Sequence, residues 1–584
     1  MAGGKSDSRP FWASFLPFLE WIGELKKMDI LRADILAGIT VALVLVPQSM
    51  AYAQLAGLPV YYGLYASFLP PMVAALIGSS RQLATGPVAV VSLMTAAALE
   101  PLAAGSPEGY LAYAVLLAFM VGAFQLFLGV FRLGVLVDFL SHPVVIGFTN
   151  AGALIIATSQ LSKLFGVSVE KAEHHYETVM KVVEAAMSHT HMPTLWMGLL
   201  SIGLLFGLKK YLPKIPNVLV AVIVTTLLSW YTGFQAAGGH VVGEIPEGLP
   251  GFELPVFDWD VIKQLITTAI TISLIGFMEA ISIAKAMAAR TRQRLDANQE
   301  LIGQGLSNMV SGCFSGYPGS GSFSRSAVNI NAGAVTGISS VVTGAVVGIT
   351  LLWLTPLLYH LPQATLASVI VMAVINLIKF KPIVHAWKAQ PHDGVVAVVT
   401  FVLTLVMAPH LDKGILVGVA LSIGLFLYRT MRPRVAVLSR YEDGTMRDIT
   451  VHPLPTSPKI SIMRFDGSLY FANAGFFETK VLEVVAANPE LRYIIIDAQG
   501  INQLDATGEE VLYHLASRLK ANGIELLVAR MKKQFMDTLR RTNIIDKMGD
   551  DHFFSRIQFA LDFAWDGLGP DYDRTSCPLR NPNL

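Results

Sequence analysis

Charged residues and cysteines are both scarce in this chain of 584 residues. Only 15% of the residues are charged, whereas 53% are hydrophobic and the mean hydropathy is +0.54. This composition excludes a soluble enzyme of such length and indicates a polytopic membrane protein. The two cysteines, Cys313 and Cys577, belong to no CxxC or Cys/His spacing, so neither a disulfide framework nor a bound metal or other cofactor is expected.

Two further absences narrow the class of protein. No Lys/Arg tract and no basic patch interleaved with aromatic residues occurs, so a nucleic-acid partner is not expected. The N-terminus lacks a short apolar core followed by a small-residue cleavage site, so the first span is expected to act as its own insertion signal. Residues Phe11 to Ile22 instead predict an interfacial amphipathic helix within a cytosolic segment at residues 1–33.

Apolar segments recur from about Ile35 to about Tyr428, which predicts a transmembrane domain at residues 34–430. With the N-terminus inside, basic connections such as Arg81 and Arg132 fall on the cytoplasmic side, as the positive-inside rule requires. Both termini are therefore expected in the cytoplasm. Fourteen spans are counted when short, interrupted segments are included, and they begin near Ile35, Tyr62, Pro87, Tyr110, Leu136, Leu195, Pro216, Val261, Asn298, Ser324, Gly337, Leu366, Gly394 and Lys413.

The stretch GYPGSGSFSRSAVN, from Gly316 to Asn329, lies where the surrounding hydropathy requires a membrane span. Its glycines and Pro318 keep the backbone extended, and Ser322 or Ser324 can then cap a helix that begins near Arg325. A charge at that depth costs about 3 kcal/mol or more unless it faces a cavity or a partner, so Arg325 is a functional-site candidate. The positive helix start also suits an anion. The alternative is that Arg325 lies in a water-filled loop and only closes a salt bridge.

A second interruption occurs about 230 residues earlier, in SSRQLATGPVAVVSLM, from Ser79 to Met94. Gly86 and Pro87 begin a helix from Val88 to about Leu99 that is too short to cross an apolar core of about 30 Å. One broken helix in each half predicts an inverted-repeat transporter with its site between the repeats. The two positive helix ends would face each other and, together with Arg325, form a pocket for a small anion.

Glu279 lies near the middle of an apolar segment, where a carboxylate should be paired or protonated. It is therefore the candidate for coupling transport to protons. A sodium ion would need several oxygen ligands, whereas Ile275 and Ile283 lie one turn away on either side. The alternative is a structural ion pair between Glu279 and Arg325 with no coupling role.

After Arg434 the composition changes to that of a soluble domain in which strands and helices alternate. The pattern predicts a linker at residues 431–458 and a small α/β domain at residues 459–566. Residues 567–584, rich in Pro, Asp and Asn, predict a flexible tail. The expected fold class is thus a polytopic α-helical membrane protein followed by a cytosolic α/β domain.

Four motifs in this order closely resemble the sulfate permease (SulP) family of anion transporters. They are PQSMAYAQLAGLPVYYGLYAS at 47–67, SSRQLATGPVAVVSLM at 79–94, FMEAISIAKAMAARTRQRLDANQELIGQGLSNMVSG at 277–312 and GSFSRSAVN at 321–329. The domain after Lys459 resembles the STAS domain of those proteins. The resemblance implies a cell-membrane transporter rather than an enzyme, a seven-plus-seven inverted repeat with a core domain moving against a gate domain, and commonly a homodimer.

The same resemblance implies site residues. The implied anion site consists of Gln48, Tyr52, the backbone at Val88 and Ala89, Ser322, Phe323, Ser324 and Arg325. Gln48 and Tyr52 are one helical turn apart and offer an amide and a phenol to an oxyanion, although such groups also join membrane helices. Ala89 stands where many sulfate-type relatives offer a hydroxyl.

Two further roles follow from the resemblance. Similarity to plant-type and bacterial sulfate permeases, which have Glu in FMEAISIAK-like segments, implies proton symport through Glu279. In STAS-type signalling proteins, a Ser or Thr that follows an Asp in a DSSG-like turn can be phosphorylated. The turn in this sequence is Asp505-Ala506-Thr507-Gly508. Thr507, which follows Asp505 and Ala506, is therefore a candidate regulatory site, with a simple helix cap as the alternative.

The function expected from these observations is secondary active transport of a small oxyanion, namely sulfate with protons, across a lipid bilayer. Bicarbonate or a C4-dicarboxylate would fit the same pocket charge. An anion channel, an exchanger, or a sensor whose membrane part gates the STAS domain would also agree with this sequence. Glu279 disfavours a pure channel, which needs no titratable coupling residue.

Overall fold

The computed structural model describes residues 16–102, 107–135, 140–170, 172–212 and 215–580. Contacts divide the chain into two compact units, with the boundary between Ser422 and Ile423. The first unit is helical and apolar, and the second contains a six-stranded sheet. The expected start of the fifth span near Leu136, and the beginning of the expected amphipathic helix at Phe11, lie outside the described residues.

The first half of the membrane unit contains seven apolar segments after a short N-terminal turn. Broken segments arise where Pro or Gly interrupts an apolar run, as at Gly86 and Pro87. The elements are α1 (Phe18–Trp21), a 3₁₀ turn (Ile22–Lys26), α2 (Met28–Leu55), α3 (Tyr61–Tyr65), α4 (Leu69–Ile77), β1 (Thr85–Gly86), α5 (Ala89–Leu99), α6 (Pro107–Val130), α7 (His142–Ser159), α8 (Leu161–Phe165), α9 (His175–His189), α10 (Met192–Tyr211) and α11 (Asn217–Thr232).

The second half repeats this pattern. Its elements are α12 (Trp259–Thr291), α13 (Ala297–Cys313), β2 (Ser320–Gly321), α14 (Phe323–Asn331), α15 (Ile338–Ile349), a π-helical turn (Thr350–Leu354), a 3₁₀ turn (Thr355–Leu358), α16 (Gln363–Val374), α17 (Phe380–Ala389), α18 (Pro391–Met407) and α19 (Leu411–Met431). Among the described residues, seven helices are long and apolar enough to cross a membrane, and five shorter apolar helices accompany them. The more polar α13 and α14 complete the set, which confirms the predicted seven-plus-seven arrangement.

The helices of the two halves interleave in two groups. In the core group, α2, α4 and α6 pack on α12, α13 and α15, whereas in the gate group α7, α10 and α11 pack on α16 and α18. Glycines allow close packing in both groups. A Cβ on Gly38 of α2 would lie 2.4 Å from the Ser339 carbonyl oxygen of α15, and one on Gly147 of α7 would lie 2.3 Å from the Ala397 carbonyl oxygen of α18.

The second unit is an α/β domain whose sheet order is β4-β3-β5-β6-β7-β8, with β5 to β8 parallel and β3 antiparallel to both of its neighbours. The central strand β6 reads YIIID and is buried throughout, because helices cover both faces of the sheet. Its elements are β3 (Arg434–Arg440), β4 (Met446–Asp448), β5 (Ile460–Asp466), α20 (Ala474–Ala487), β6 (Tyr493–Asp497), α21 (Ala506–Ala521), β7 (Glu525–Ala529), α22 (Lys533–Arg541), α23 (Ile544–Met548), β8 (Phe553–Phe554) and α24 (Ile557–Gly567), with 3₁₀ turns at Ala498–Gly500, Asp550–His552 and Arg574–Ser576.

The structure differs from the predicted domain limits at two places in this unit. Residues 431–458, predicted to be a linker, contain β3 and β4, and β3 pairs with β5 over five positions from Arg434 to Leu438. The described part of the predicted flexible tail, residues 567–580, packs against the sheet. Leu579 is buried, and its carbonyl oxygen accepts a hydrogen bond of 3.1 Å from Arg440 Nε. The polar residues of the tail make turns, since Asp573 caps the turn at Arg574–Ser576.

The predicted N-terminal limit of the membrane domain falls within a helix. The cytosolic segment is predicted to end at residue 33, and α2 begins at Met28, so its first residues belong to that predicted segment. The hydropathy pattern marks where apolar residues begin, and α2 starts with a more polar turn that includes Asp29 and Arg32. Asp34, two residues after Arg32, is buried. A carboxylate is tolerated there because it accepts hydrogen bonds from Val335 N at 2.7 Å and from the Thr336 hydroxyl.

Candidate functional site

The two broken helices meet through the strands that precede them. In β1 and β2, Thr85 pairs with Gly321 and Gly86 pairs with Ser320, in antiparallel register. Each strand leads within three residues into its helix, α5 or α14. The N-terminal ends of two helices from opposite repeats therefore lie beside one short sheet, and this crossing is the candidate site.

Glycines make the crossing sterically possible. Gly86 adopts a φ of +144°, which L side chains rarely reach. A Cβ on Gly319 would lie 2.9 Å from the Gly86 carbonyl oxygen, so any larger residue would separate the two strands. A Cβ on Gly321 would lie 3.1 Å from Ala280 Cα of α12, so the sheet also packs closely on that helix.

The two helix starts are capped differently. Ser322 is the N-cap of α14, and its hydroxyl accepts a hydrogen bond of 3.5 Å from Arg325 N, as the sequence predicts. Val88 is the N-cap of α5 and supplies no side-chain hydrogen bond. The first N–H groups of α5 therefore lack a capping side chain within the described residues, and free N–H groups at a helix start are suited to an anion.

The predicted site residues divide by exposure. Gln48, Tyr52, Val88, Ala89 and Ser322 are all buried. Phe323 and Ser324, at the first turn of α14, are exposed. The Ser324 hydroxyl lies 3.3 Å from the Ser322 hydroxyl, which places an accessible donor directly at the helix start.

Arg325 is completely buried, with 0% of its surface exposed. Its Nε, Nη1 and Nη2 atoms make no hydrogen bond within the part of the chain that the structure describes. A Cβ on Gly86 would lie 3.5 Å from Arg325 Nη2, so the guanidinium lies beside β1. A buried cation without a partner is strongly destabilising, whereas an anion nearby would compensate it. The crossing therefore combines a buried positive charge with two positive helix ends.

Glu279 lies on α12, partly buried, with Ile275 and Ile283 buried one turn away on either side. It interacts electrostatically with Arg325, but the described residues contain no ion pair between the two side chains. The alternative of a direct structural ion pair is therefore not what the structure contains. The carboxylate and the guanidinium are thus separated by a gap that is too wide for a salt bridge, although their charges still interact.

Tyr52 and Tyr317 are the other electrostatic neighbours of Arg325. Tyr317 is fully buried, and its hydroxyl lies 3.2 Å from the Ser92 hydroxyl of α5. Gln48, one turn before Tyr52 on α2, carries a buried Oε1 atom with no hydrogen-bond partner among the described residues. Gln48 and Tyr52 thus lie on α2, a helix that contacts both α5 and α14.

The polar side chains of α13 that hold the crossing are not among the site residues predicted from the sequence. Glu300, Gln304 and Asn308 are all at most 2% exposed, and each makes hydrogen bonds to residues in or just before β1 or β2. Their spacing of four residues in QELIGQGLSN was the available signal, because it places three polar groups on one helix face.

In the soluble unit, Thr507 is exposed at the second position of α21. The cap of this helix is Asp505, whose carboxylate accepts a hydrogen bond of 2.8 Å from Gly508 N. Thr507 is therefore not the capping residue. Its phosphorylation stays a prediction.

These features define an inverted-repeat membrane transporter joined to a soluble α/β domain. A model of the sulfate permease family matches residues 31–400, and a model of the STAS domain matches residues 453–560. The chain belongs to the sulfate permease family. The members of this family are transporters, so the protein is an anion transporter and not an enzyme.

Relatives match along most of the chain. It is 34% identical to "Sulfate transporter 4.1, chloroplastic" of Arabidopsis thaliana over 569 residues, which cover 94% of this chain and 82% of that protein. It is 35% identical to "Probable sulfate transporter Rv1739c" of Mycobacterium tuberculosis over 535 residues, which cover 91% and 95% of the two chains.

Solved structures show the same architecture. The murine Slc26a9 anion transporter in its inward-facing state is similar with a TM-score of 0.88 at 25% identity, over 97% of this chain and 96% of that one. The transmembrane domain of the cyanobacterium bicarbonate transporter BicA is similar with a TM-score of 0.57 at 25% identity, over 68% and 97% of the two chains.

Proposed function

We propose that this protein transports sulfate together with protons by alternating access, and that the anion binds where α5 and α14 begin. The observation that carries the proposal is the side chain of Arg325, which is completely buried and whose guanidinium makes no hydrogen bond within the described chain. A doubly charged oxyanion next to two helix starts would compensate the charge of Arg325 and would accept hydrogen bonds from backbone N–H groups. The names of the relatives favour sulfate as that oxyanion.

The packing supports alternating access. β1, β2, α5 and α14 contact the core helices α2, α4 and α12, whereas α7 of the gate group contacts α5 and α16 of the gate group contacts α2. The candidate site therefore belongs to the core group and lies at its boundary with the gate group. A rigid movement of the core group past the gate group would carry the bound anion, as in other inverted-repeat transporters.

Glu279 supports coupling to protons. An ionised Glu279 partly neutralises Arg325 and repels a divalent anion, whereas protonation removes that negative charge. Proton and sulfate would then bind cooperatively, and each would tighten the binding of the other by the same factor. The gap between Glu279 and Arg325 suits this role, because a direct ion pair would hold the carboxylate in one protonation state.

Bicarbonate is the second candidate substrate. The similarity to the bicarbonate transporter BicA favours it, and Ala89 at the start of α5 offers no hydroxyl to a sulfate oxygen.

The positive-inside rule supports an orientation with both termini and the STAS domain in the cytoplasm. A homodimer stays a prediction from the family resemblance.

The proposal can be tested with the purified full chain in proteoliposomes. Uptake of radiolabelled sulfate is measured with and without an inward proton gradient, with the membrane potential clamped. We expect the gradient to drive sulfate accumulation, and excess unlabelled bicarbonate to compete weakly. Sulfate flux that follows only the membrane potential would identify a channel. Accumulation of bicarbonate but not of sulfate would establish the second candidate instead.

A further inference from the structure

One helix, α13, holds both strands of the crossing from behind. Asn308 makes two hydrogen bonds to Gly319, the residue just before β2. Its Oδ1 accepts from Gly319 N at 2.8 Å, and its Nδ2 donates to Gly319 O at 3.2 Å. The amide of Asn308 thus pairs with the Gly319 backbone as a neighbouring strand would. Asn308 Nδ2 also donates to Gln125 Oε1 of α6 at 2.9 Å, which fixes the orientation of the amide.

One turn earlier on α13, Gln304 holds the other strand. Its Nε2 donates to the hydroxyl of Thr85, the first residue of β1, at 2.9 Å. A further turn earlier, Glu300 accepts hydrogen bonds of 2.9 Å from both Ser79 N and Ser80 N, in the segment that leads into β1. These three side chains lie on one face of α13 because each is four residues from the next.

α13 is itself fixed in place. A Cβ on Gly305 would lie 2.5 Å from Leu126 N of α6, and a Cβ on Gly303 would lie 2.5 Å from Gly78 Cα at the end of α4. Backbone contacts this close leave no space for the helix to rotate or slide without separating from its neighbours. A side chain on α13 therefore has a fixed position relative to the rest of the core group.

We propose that Gln304 and Asn308 are positioning residues for the anion site, and that α13 sets the distance and orientation between the starts of α5 and α14. The two helix starts come from opposite repeats, yet β1 and the residue just before β2 both bond to this single helix. The inference rests on the proposed anion site, and it adds that affinity for the anion depends on residues that do not contact the anion. Small displacements matter, because hydrogen bonds from N–H groups weaken steeply with distance and angle.

The test measures sulfate binding by calorimetry with the purified full chain and its variants Asn308→Ala and Gln304→Ala. We expect the sulfate Kd to rise about tenfold for Asn308→Ala and severalfold for Gln304→Ala. The matched control is Ser307→Ala on the same helix. Its hydroxyl is equally buried and donates to Pro70 O at 2.7 Å, away from the crossing. We expect Ser307→Ala to lower the melting temperature about as much as Asn308→Ala and Gln304→Ala do. Its sulfate Kd should nevertheless stay within twofold of that of the parent.

A double-mutant cycle separates positioning from stability. If Gln304 acts through the Thr85 hydroxyl, the variant Thr85→Val should raise the sulfate Kd as Gln304→Ala does, and combining the two should add little. If Asn308→Ala does not fold, the neutral variant Asn308→Ser, which is too short to keep both hydrogen bonds to Gly319, replaces it and together with this cycle decides the question.

Two results would overturn the inference: a parental sulfate Kd in folded Asn308 and Gln304 variants, or a full sum of the separate effects of Gln304→Ala and Thr85→Val. Failure of the parent protein to bind sulfate would reject the proposed substrate instead. The same ratios would then be measured with bicarbonate.

Discussion

The starts of α5 and α14 have the same backbone geometry but different chemistry. Their N-cap residues are both extended, Val88 with φ −138° and ψ 152° and Ser322 with φ −115° and ψ 123°, and their preceding strands pair with each other. α5 begins with Val88 and Ala89, without a polar side chain. α14 begins with a serine cap, an exposed hydroxyl at Ser324 and the buried charge of Arg325.

This difference separates two properties of the site. Backbone N–H groups at the start of α5, and those at the start of α14 that Ser322 does not cap, are available to any small anion, because they are features of the shared geometry. The charge and the hydroxyl come only from the second repeat. We therefore expect changes in α14 to control affinity and selectivity, and changes at the start of α5 to have smaller effects.

The largest expected effect is that of Arg325→Ala. Removing the buried positive charge of Arg325 should weaken sulfate binding about 100-fold, because charge-assisted hydrogen bonds contribute the most to such sites. Equilibrium binding to the purified variant measures it. Arg290→Ala, at an exposed arginine near the end of α12, is the control and should bind sulfate normally. Parental affinity in folded Arg325→Ala would remove α14 from the site.

The next effect concerns Glu279→Gln, which imitates the protonated carboxyl. We expect the variant to keep sulfate exchange at equal pH but to lose accumulation driven by an inward proton gradient, because no proton can be taken up at this position. Uptake at several external pH values, with the membrane potential clamped, measures both. The control is Glu24→Gln, which removes the carboxylate that forms a salt bridge with Arg81. Sulfate accumulation by this variant should still be driven by the proton gradient. Proton-driven accumulation in Glu279→Gln equal to that of the parent would exclude Glu279 from coupling.

Neutral donors should alter selectivity more than rate. Ser324→Ala and Gln48→Ala each remove a polar group near the crossing, so we expect the affinity ratio of sulfate to bicarbonate to change severalfold while the maximal exchange rate stays similar. Competition of both anions against radiolabelled sulfate gives the ratio. An unchanged order of competing anions in both variants would mean that other donors select the anion.

The smallest expected effect comes from making the start of α5 chemically more similar to that of α14. Ala89→Ser gives the start of α5 a hydroxyl similar to that of Ser324, and we expect sulfate affinity to rise about two- to fivefold, as one added neutral hydrogen bond allows. Calorimetry can resolve a change of this size. Weaker sulfate binding would show that the start of α5 has no space for a donor and that the asymmetry is required.

Much of the membrane fold was predictable from hydropathy and from Gly and Pro. The expected span starts near Tyr62 and Asn298 lie one residue from the observed helix starts at Tyr61 and Ala297. The Ser322 cap was predictable as well, since a serine before a helix start has a known partner geometry. Glycine and proline also located the two helix breaks, because they act through local backbone conformation.

Long-range features were not predictable in this way. The pairing of β1 with β2 involves two residues on each side, which is too short for a periodic pattern. The strands in residues 431–458 were missed because β3 is stabilised by pairing with β5 and β4 has only three residues. The gap between Glu279 and Arg325 depends on how α12 and α14 are placed, which no spacing in the sequence specifies.

The pairing of β1 with β2 also bears on how the protein is made. Its hydrogen-bonded partners lie in opposite halves of the sequence, so the first repeat enters the membrane before the second strand has been synthesised. During that interval the backbone groups of Thr85 and Gly86 have no strand to pair with, which is costly in lipid. We therefore expect α5 to reach its final depth only after α14 has been inserted. Assembly of the transport domain would then be completed late, by the second repeat closing on the first.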